Sequence, residues 1–227
     1  MPRERTEPVR PGGYLKAEKF FILSFEGEKS EPKYFENIRN SELFNNSGLI
    51  ETIPLKREKN TGTNPLAVKK LLRIAKSEYN FKPTDEFWLI IDRDHWETIH
   101  NIDFDKLIAE CEAEKNFYLA MSNPCFEIWL ILHLKNVTEF SEEELSKISI
   151  NQKISNKKHH IDTVLENLIG DGRGYNKTPN PEEFLPLTNN AIERAKALSN
   201  PNEKYPTSIG TDVYKLVEKL IIQKQNK

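Results

Sequence analysis

Carboxylates stand directly after two runs of apolar residues in this chain. Glu26 follows Phe20-Phe21-Ile22-Leu23-Ser24-Phe25, and Asp92 and Asp94 follow Glu86-Phe87-Trp88-Leu89-Ile90-Ile91. Continuous apolar runs of this kind read as strands buried on both faces. Ligands of parallel α/β sheets collect beyond the carboxyl ends of such strands. In extended backbone, residues i and i+2 face the same side, so Asp92 and Asp94 converge while Arg93 is turned away. If the two strands are neighbours, Glu26 meets them. Carboxylates gathered in this way raise one another's pKa unless a cation lies among them. Oxygen donors without Cys or an obligatory His select Mg2+ or Mn2+ over zinc. A carboxylate-held magnesium serves phosphoryl chemistry: it polarises the phosphoryl group, neutralises the leaving oxygen and helps make a nucleophile of water. Phosphodiester cleavage is the leading expectation. The competing reading is structural, since Asp also caps helices and turns.

Other residues extend this constellation, each with an ordinary alternative. Glu31 can reach the same crevice from a first helical turn and hold a second metal, or simply favour the positive end of the helix. Glu127 opens a helix at the edge where the acids lie and reads equally as ligand or cap. Asn123 either caps that helix or orients substrate. His95 follows Asp94 directly and can donate to a phosphate. Lys177, in Gly174-Tyr175-Asn176-Lys177, can stabilise a pentavalent phosphate or be a solvated loop lysine. Lys69, Lys70, Arg73 and Lys76 form the best local basic stripe, one that steers a polyanion or is a plain exposed face. His133 reads as a core or interface histidine.

The elements that must position these residues alternate. Strands are expected at Phe20–Phe25, Leu49–Leu55, Glu86–Ile91 and Phe117–Met121. Between them lie a helix from Ser30, with Ser30 as N-cap and Pro32 in its first turn, and helices over Pro65–Lys76, Ile102–Glu114 and Phe126–Leu134. Alternation of buried strands with helices implies an α/β fold, a parallel sheet covered on both faces. Beyond Leu134 the strand signal disappears. Ser141 with Glu144 forms a capping-box pattern, Ile161–Ile169 and Ala191–Leu198 look helical, and Thr211 caps a last helix striped by Val213, Leu216, Val217, Leu220 and Ile221. The expected organisation is a flexible arm over residues 1–16, an α/β domain over 17–135 and a helical C-terminal extension over 136–227. The Gly170–Phe184 loop is the one most suited to motion or function.

Composition sets outer bounds. The chain has 227 residues, with 33 Lys plus Arg against 35 Asp plus Glu, a net charge of −2 that removes any argument for a polycationic nucleic-acid binder. Hydrophobic residues at 37% and aromatics at 10% are enough for a folded core. No apolar run approaches the roughly 20 residues of a membrane span, and the first residues lack the apolar run of a secretory signal, so no membrane and a cytoplasmic location are expected. Cys111 and Cys125 lack metal-ligand spacing and are expected as reduced core residues.

Glu26-Gly27-Glu28-Lys29-Ser30-Glu31-Pro32-Lys33-Tyr34-Phe35, Asp92-Arg93-Asp94 and Asn123-Pro124-Cys125-Phe126-Glu127-Ile128-Trp129-Leu130 together resemble the RloB-like family of bacterial and archaeal defence proteins. The resemblance runs from about Lys19 to the last helix. It implies a Toprim-like fold, in which a Glu after the first strand and a DxD after a later one bind magnesium. On that resemblance Glu26 is general base or metal ligand and Asp92 and Asp94 bind the metal. The implied activity is a Mg2+-dependent nuclease acting on DNA or RNA, an effector of anti-phage defence gated by an ATPase encoded nearby. Topoisomerase activity is not expected, because the remaining chain is too short for the necessary further domain. Primase activity is not expected either, for want of a cysteine-rich zinc module. Two alternatives stay open from the residues. One is a haloacid-dehalogenase-like phosphatase with Asp92 as nucleophile, against which stands His95-Trp96 where that family has Thr or Val. The other is a non-catalytic metal-binding subunit docked to an ATPase.

Overall fold

The computed structural model describes residues 19–44, 50–55, 64–78, 80–94, 96–99, 101–156, 158–170, 172 and 174–221. The chain opens with β1 (Lys19–Phe25), α1 (Ser30–Arg39), β2 (Ile50–Pro54) and α2 (Pro65–Glu78). β3 (Glu86–Asp92), the single turn α3 (Trp96–Ile99), α4 (Phe104–Glu112), β4 (Phe117–Asn123) and α5 (Glu127–Leu134) follow. The remainder comprises α6 (Glu142–Ile150), a hairpin of β5 (Lys153–Ser155) and β6 (Lys158–His159), α7 (His160–Ile169), α8 (Pro181–Phe184), α9 (Thr188–Leu198), β7 (Gly210–Thr211) and α10 (Val213–Leu220).

The main sheet has the order β2-β1-β3-β4-β7. β1 lies between β2 and β3 and pairs parallel to both, β3 pairs parallel to β4, and β7 closes the far edge antiparallel to β4. Parallel strands need crossover helices, and these cover both faces. The period-2 alternation of side chains divides the strands between two cores. Phe21, Leu23, Phe25, Trp88, Ile90 and Ala120 face the larger core, and Phe20, Ile22, Phe87, Leu89, Ile91 and Met121 face the smaller one. Residues of α2 and α4 complete the smaller core, and residues of α1, α5, α7, α9 and α10 complete the larger. This is a mixed α/β architecture consistent with a Toprim-like fold.

α5 explains how the C-terminal region is attached. Ile128, Trp129, Leu130, Ile131 and Leu132 are all fully buried. A helix that is apolar all round must be enclosed, and α5 packs against α7 and α9 as well as the sheet. His133 on the same helix is a core histidine, its ring nitrogens set against the Trp129 carbonyl at 2.8 Å and the Tyr34 hydroxyl at 3.1 Å.

Several expectations need correction. The C-terminal region is not purely helical: β7 joins the main sheet through Ser122–Thr211 and Asn123–Gly210, and β5 and β6 form a small hairpin. Two residues of strand carry no period, so β7 leaves no sequence signal. Ser30 is not the N-cap of α1, a position taken by Lys29 with no side-chain cap bond. The basic stripe of α2 is not a free polyanion track, because Lys69 is buried and pairs with Glu110, while Arg73 pairs with Glu114. Lys76 bonds the Lys115 carbonyl and lies over the Phe87 and Phe117 rings. The two cysteines are buried thiols in opposite cores, Cys111 in the smaller and Cys125 in the larger. Thr211 is not the N-cap of α10 either: that position belongs to Asp212, which makes no side-chain cap bond, although Thr211 Oγ1 accepts from the Val213 N–H at 3.2 Å. The arm over residues 1–16, residues 56–63 and His95 lie outside the described residues. Among the described residues no helix is long and apolar enough to cross a membrane.

Candidate functional site

The carboxyl ends of β1, β3 and β4 and the N-termini of α1 and α5 meet at one edge of the sheet. Because β1 and β3 are adjacent and in register at Phe25 and Ile90, the residues that follow them are brought side by side. The Glu26 N–H continues the ladder to the Ile90 carbonyl at 2.9 Å. The Glu26 carboxylate accepts from the Asp92 N–H at 3.1 Å on Oε2 and from the Trp96 indole N–H at 2.7 Å on Oε1. Asp92 Oδ1 accepts from the Phe126 N–H at 2.9 Å, at the start of α5. Acids far apart along the chain thus stand together at one edge of the sheet.

Asp94 reaches that edge by a route other than the expected one. β3 ends at Asp92, and Asp94 sits in the left-handed region at φ 39°, its N–H bonded to the Pro124 carbonyl at 2.8 Å. The i, i+2 rule of extended backbone therefore does not apply to the pair. Arg93 is turned away as expected, donating to Glu97 and to the Thr207 carbonyl. Asp94 is exposed and forms the solvent end of the cleft.

The other end is deeply buried. Glu31 is 3% and Glu127 4% exposed. Glu31 Oε1 accepts from the Gly27 N–H at 2.8 Å, an approach so close that a Cβ at Gly27 would lie 2.1 Å from Glu31 Oε2. Glycine is needed there for room. Glu127 Oε1 accepts from Ser30 Oγ at 3.0 Å, from Lys177 Nζ at 3.0 Å and from the Tyr175 hydroxyl at 3.4 Å. Lys177 Nζ also lies 2.6 Å from Asp162 Oδ1, an ion pair without the alignment of a hydrogen bond. Lys177 is therefore not a solvated loop lysine. Asn123, expected as cap or substrate ligand, donates to the Pro206 carbonyl at 3.2 Å and ties the loop before β7 to β4.

Electrostatics divide the cleft. Burial pushes the Glu26 carboxyl up to about 8, with Glu31 and Asp94 adding repulsion against the opposing Asp92 and Trp96 hydrogen bonds. Burial and the neighbouring Glu127 push Glu31 up to about 7. Asp92 is raised well above the usual carboxylate range by burial, then by Glu31, Glu26, Glu127 and Asp94. Burial pushes Glu127 the same way, but the Lys177 ammonium outweighs it and holds Glu127 below the usual range. Carboxylates in this condition must take up protons or a cation.

The donor set is all oxygen, which fits Mg2+ or Mn2+. Among the described residues, no three His, Cys, Asp or Glu side chains converge in the arrangement of a metal site. Glu26, Glu31, Asp92 and Glu127 are each turned onto protein donors. The fit lies in the chemistry and shared charge of the donors and not in a ready-made cage.

Trp96, Ser30, Tyr175 and Asp162 escaped the sequence reading of the site. Tyr175 lies two residues before Lys177 and shared its loop as a signal; Asp162, in the first turn of α7, had none. Beside Gly27 an open groove of about 820 Å3 is lined by Leu23, Phe25, Pro32 and Phe35 together with Lys29, Lys33, Glu28 and Glu36, Lys33 donating to Glu36 at 2.8 Å.

A family model described as RloB-like protein matches residues 21–220 of the chain, a span that takes in every one of these side chains. No curated protein and no solved structure matches it.

Proposed function

The chain belongs to the RloB-like protein family, and from that premise and the acidic cleft we propose that it is a metal-dependent hydrolase of phosphodiester bonds in DNA or RNA. The observation that carries this reading is the pairing of β1 with β3, which sets Glu26 beside Asp92 at the carboxyl edge of a parallel sheet, with Asp94 at the open end. Glu26, Asp92 and Asp94 are the residues that would hold Mg2+ or Mn2+. A divalent cation bound there supplies polarisation of a phosphoryl oxygen and charge neutralisation.

The chain's own residues supply orientation. The Asp92 and Trp96 N–H groups fix the Glu26 carboxylate, and the Phe126 N–H fixes Asp92. These bonds hold each carboxylate in one orientation at the edge of the sheet where a phosphate would arrive. Substrate enters at Asp94, with its flank along the groove beside Gly27, where Lys29, and Lys33 on parting from Glu36, meet phosphate and the apolar walls meet bases or sugars. A role as effector of an anti-phage system gated by an ATPase rests on the family resemblance. The net charge of −2 agrees with a need for a partner in substrate capture, since phosphate contacts supply most non-specific affinity.

The test is cleavage of plasmid, linear duplex, single-stranded DNA and transfer RNA with Mg2+ or Mn2+, wild type against Asp92→Asn. Metal-dependent cutting lost in the variant supports the reading and names the polymer. Cutting that persists at the wild-type rate rejects the site. One observation favours a second reading, a non-catalytic metal-binding subunit: four of the carboxylates are already satisfied by protein donors. Phage protection that survives Asp92→Asn with Asp94→Asn decides for it.

A further inference from the structure

The buried end of the cleft already contains a cation, one belonging to the chain. Lys177 Nζ sits 3.0 Å from Glu127 Oε1 and 2.6 Å from Asp162 Oδ1, and both carboxylate side chains are at most 5% exposed. The loop presenting it is built to hold it there. Lys177 takes a left-handed φ of 65°, a conformation that costs energy outside glycine. Tyr175 anchors the same loop through its N–H to Glu166 Oε1 at 3.0 Å and its hydroxyl 2.8 Å from Ser30 Oγ. Asn37 of α1 donates to the Pro179 carbonyl at 2.8 Å. α5 and α7 therefore supply the two carboxylates that meet the ammonium, and α1 braces the loop that carries it.

A second metal ion in a phosphoryl-transfer site lies about 3.5–4 Å from the first and needs its own carboxylates. Among the described residues, the further acids at this end are Glu31, Glu127 and Asp162, of which Asp162 faces Lys177. Glu127 Oε1, however, already takes donors from Ser30, Lys177 and Tyr175. Removing that ammonium would leave Glu127 and Asp162 as buried, uncompensated charges.

Building on the metal-dependent reading above, we propose that Lys177 is a built-in replacement for a second metal ion, so that the cleft binds one divalent cation, on the Glu26, Asp92 and Asp94 side. Glu127 then serves the lysine and not the metal. The ammonium supplies a fixed positive charge at the deep end without the open coordination positions of a metal, and it cannot be removed by chelators.

The stoichiometry of Mn2+ alone on the full chain, read by electron paramagnetic resonance of free Mn2+ during titration, tests this. Wild type is expected to bind one ion, Lys177→Arg one, and Lys177→Met two, as Glu127, freed of the ammonium, joins Glu31 in holding a second ion. Two ions on wild type, or one on a Lys177→Met protein that keeps its circular dichroism spectrum, overturns the proposal. If Lys177→Met does not fold, the wild-type count alone decides. Two ions on wild type leave the metal-dependent reading intact, whereas no ion at millimolar Mn2+ removes both.

Discussion

The backbone N–H of Asp92 donates to the carboxylate of Glu26 at 3.1 Å. Two acids that are 66 residues apart in the chain are thereby clamped at the mouths of neighbouring strands. The bond orients Glu26 and at the same time brings like charges together in a buried place. The site thus stores repulsion that a protein selected only for stability would not keep.

Replacing Asp92 by Asn removes one of these charges while its side-chain oxygen can still accept from the Phe126 N–H. The expected outcome is a gain of about 1 kcal/mol in stability, or some 2–4 °C for a chain of this size, with metal-dependent cleavage down by about a hundredfold or more. Thermal unfolding of the metal-free protein beside the cleavage assay checks both; a loss of stability would contradict the repulsion argument.

Gly27→Ala drives a methyl group onto the Glu31 carboxylate, whose Oε2 would lie 2.1 Å from the new Cβ. Glu31 must then leave the Gly27 N–H, at a cost of about 1–3 kcal/mol for the stranded groups. In a double-mutant cycle with Glu31→Ala the two costs should fail to add, because both report the same contact. Additive losses in urea denaturation would show that the alanine acts elsewhere.

His133 is 1% exposed, and burial holds its pKa down at about 3. The unfolded chain, with an ordinary value near 6.5, therefore binds more protons than the folded one between these limits. Stability from this group is complete above about pH 6.5 and is lost as the pH falls, by about 1.4 kcal/mol per unit. Urea denaturation at pH 7 and at pH 4.5 should show a larger acid loss in wild type than in His133→Gln. Equal losses would mean that the imidazole is not buried neutral.

Val213, Leu216, Val217 and Leu220 of α10 are at most 1% exposed and belong to the same core as α1 and α5. At about 1.5–3 kcal/mol for each buried side chain, their loss is comparable with the whole stability of about 5–15 kcal/mol expected for a domain. A chain ending after Ser208, which also uncovers the edge of β4, should lose its cooperative thermal transition. A soluble, cooperatively melting fragment would show instead that the chain up to Ser208 folds without α10.

Local order was legible in the sequence. The runs Phe20–Phe25, interrupted by Ser24 alone, and Phe87–Ile91 are apolar on both faces, short and rich in β-branched and aromatic residues, as a strand buried on both faces requires, and an acid directly after such a strand must lie at its carboxyl end. The position of Glu127 at a helix start on the same edge followed from Asn123-Pro124 in the same way. Tertiary structure alone decided the rest. That β1 lies beside β3, that β7 returns to cover β4, and that Lys177 is clasped by Glu127 and Asp162 depend on contacts across long stretches of chain. Ser30 shows the difference most directly. Its type and place before a helix predict a cap, yet its hydroxyl serves Glu127, a residue 97 positions away. Hydrophobic periodicity is a property of neighbours and is written locally, whereas the pairing of polar groups is settled only when packing has brought them together and excluded water.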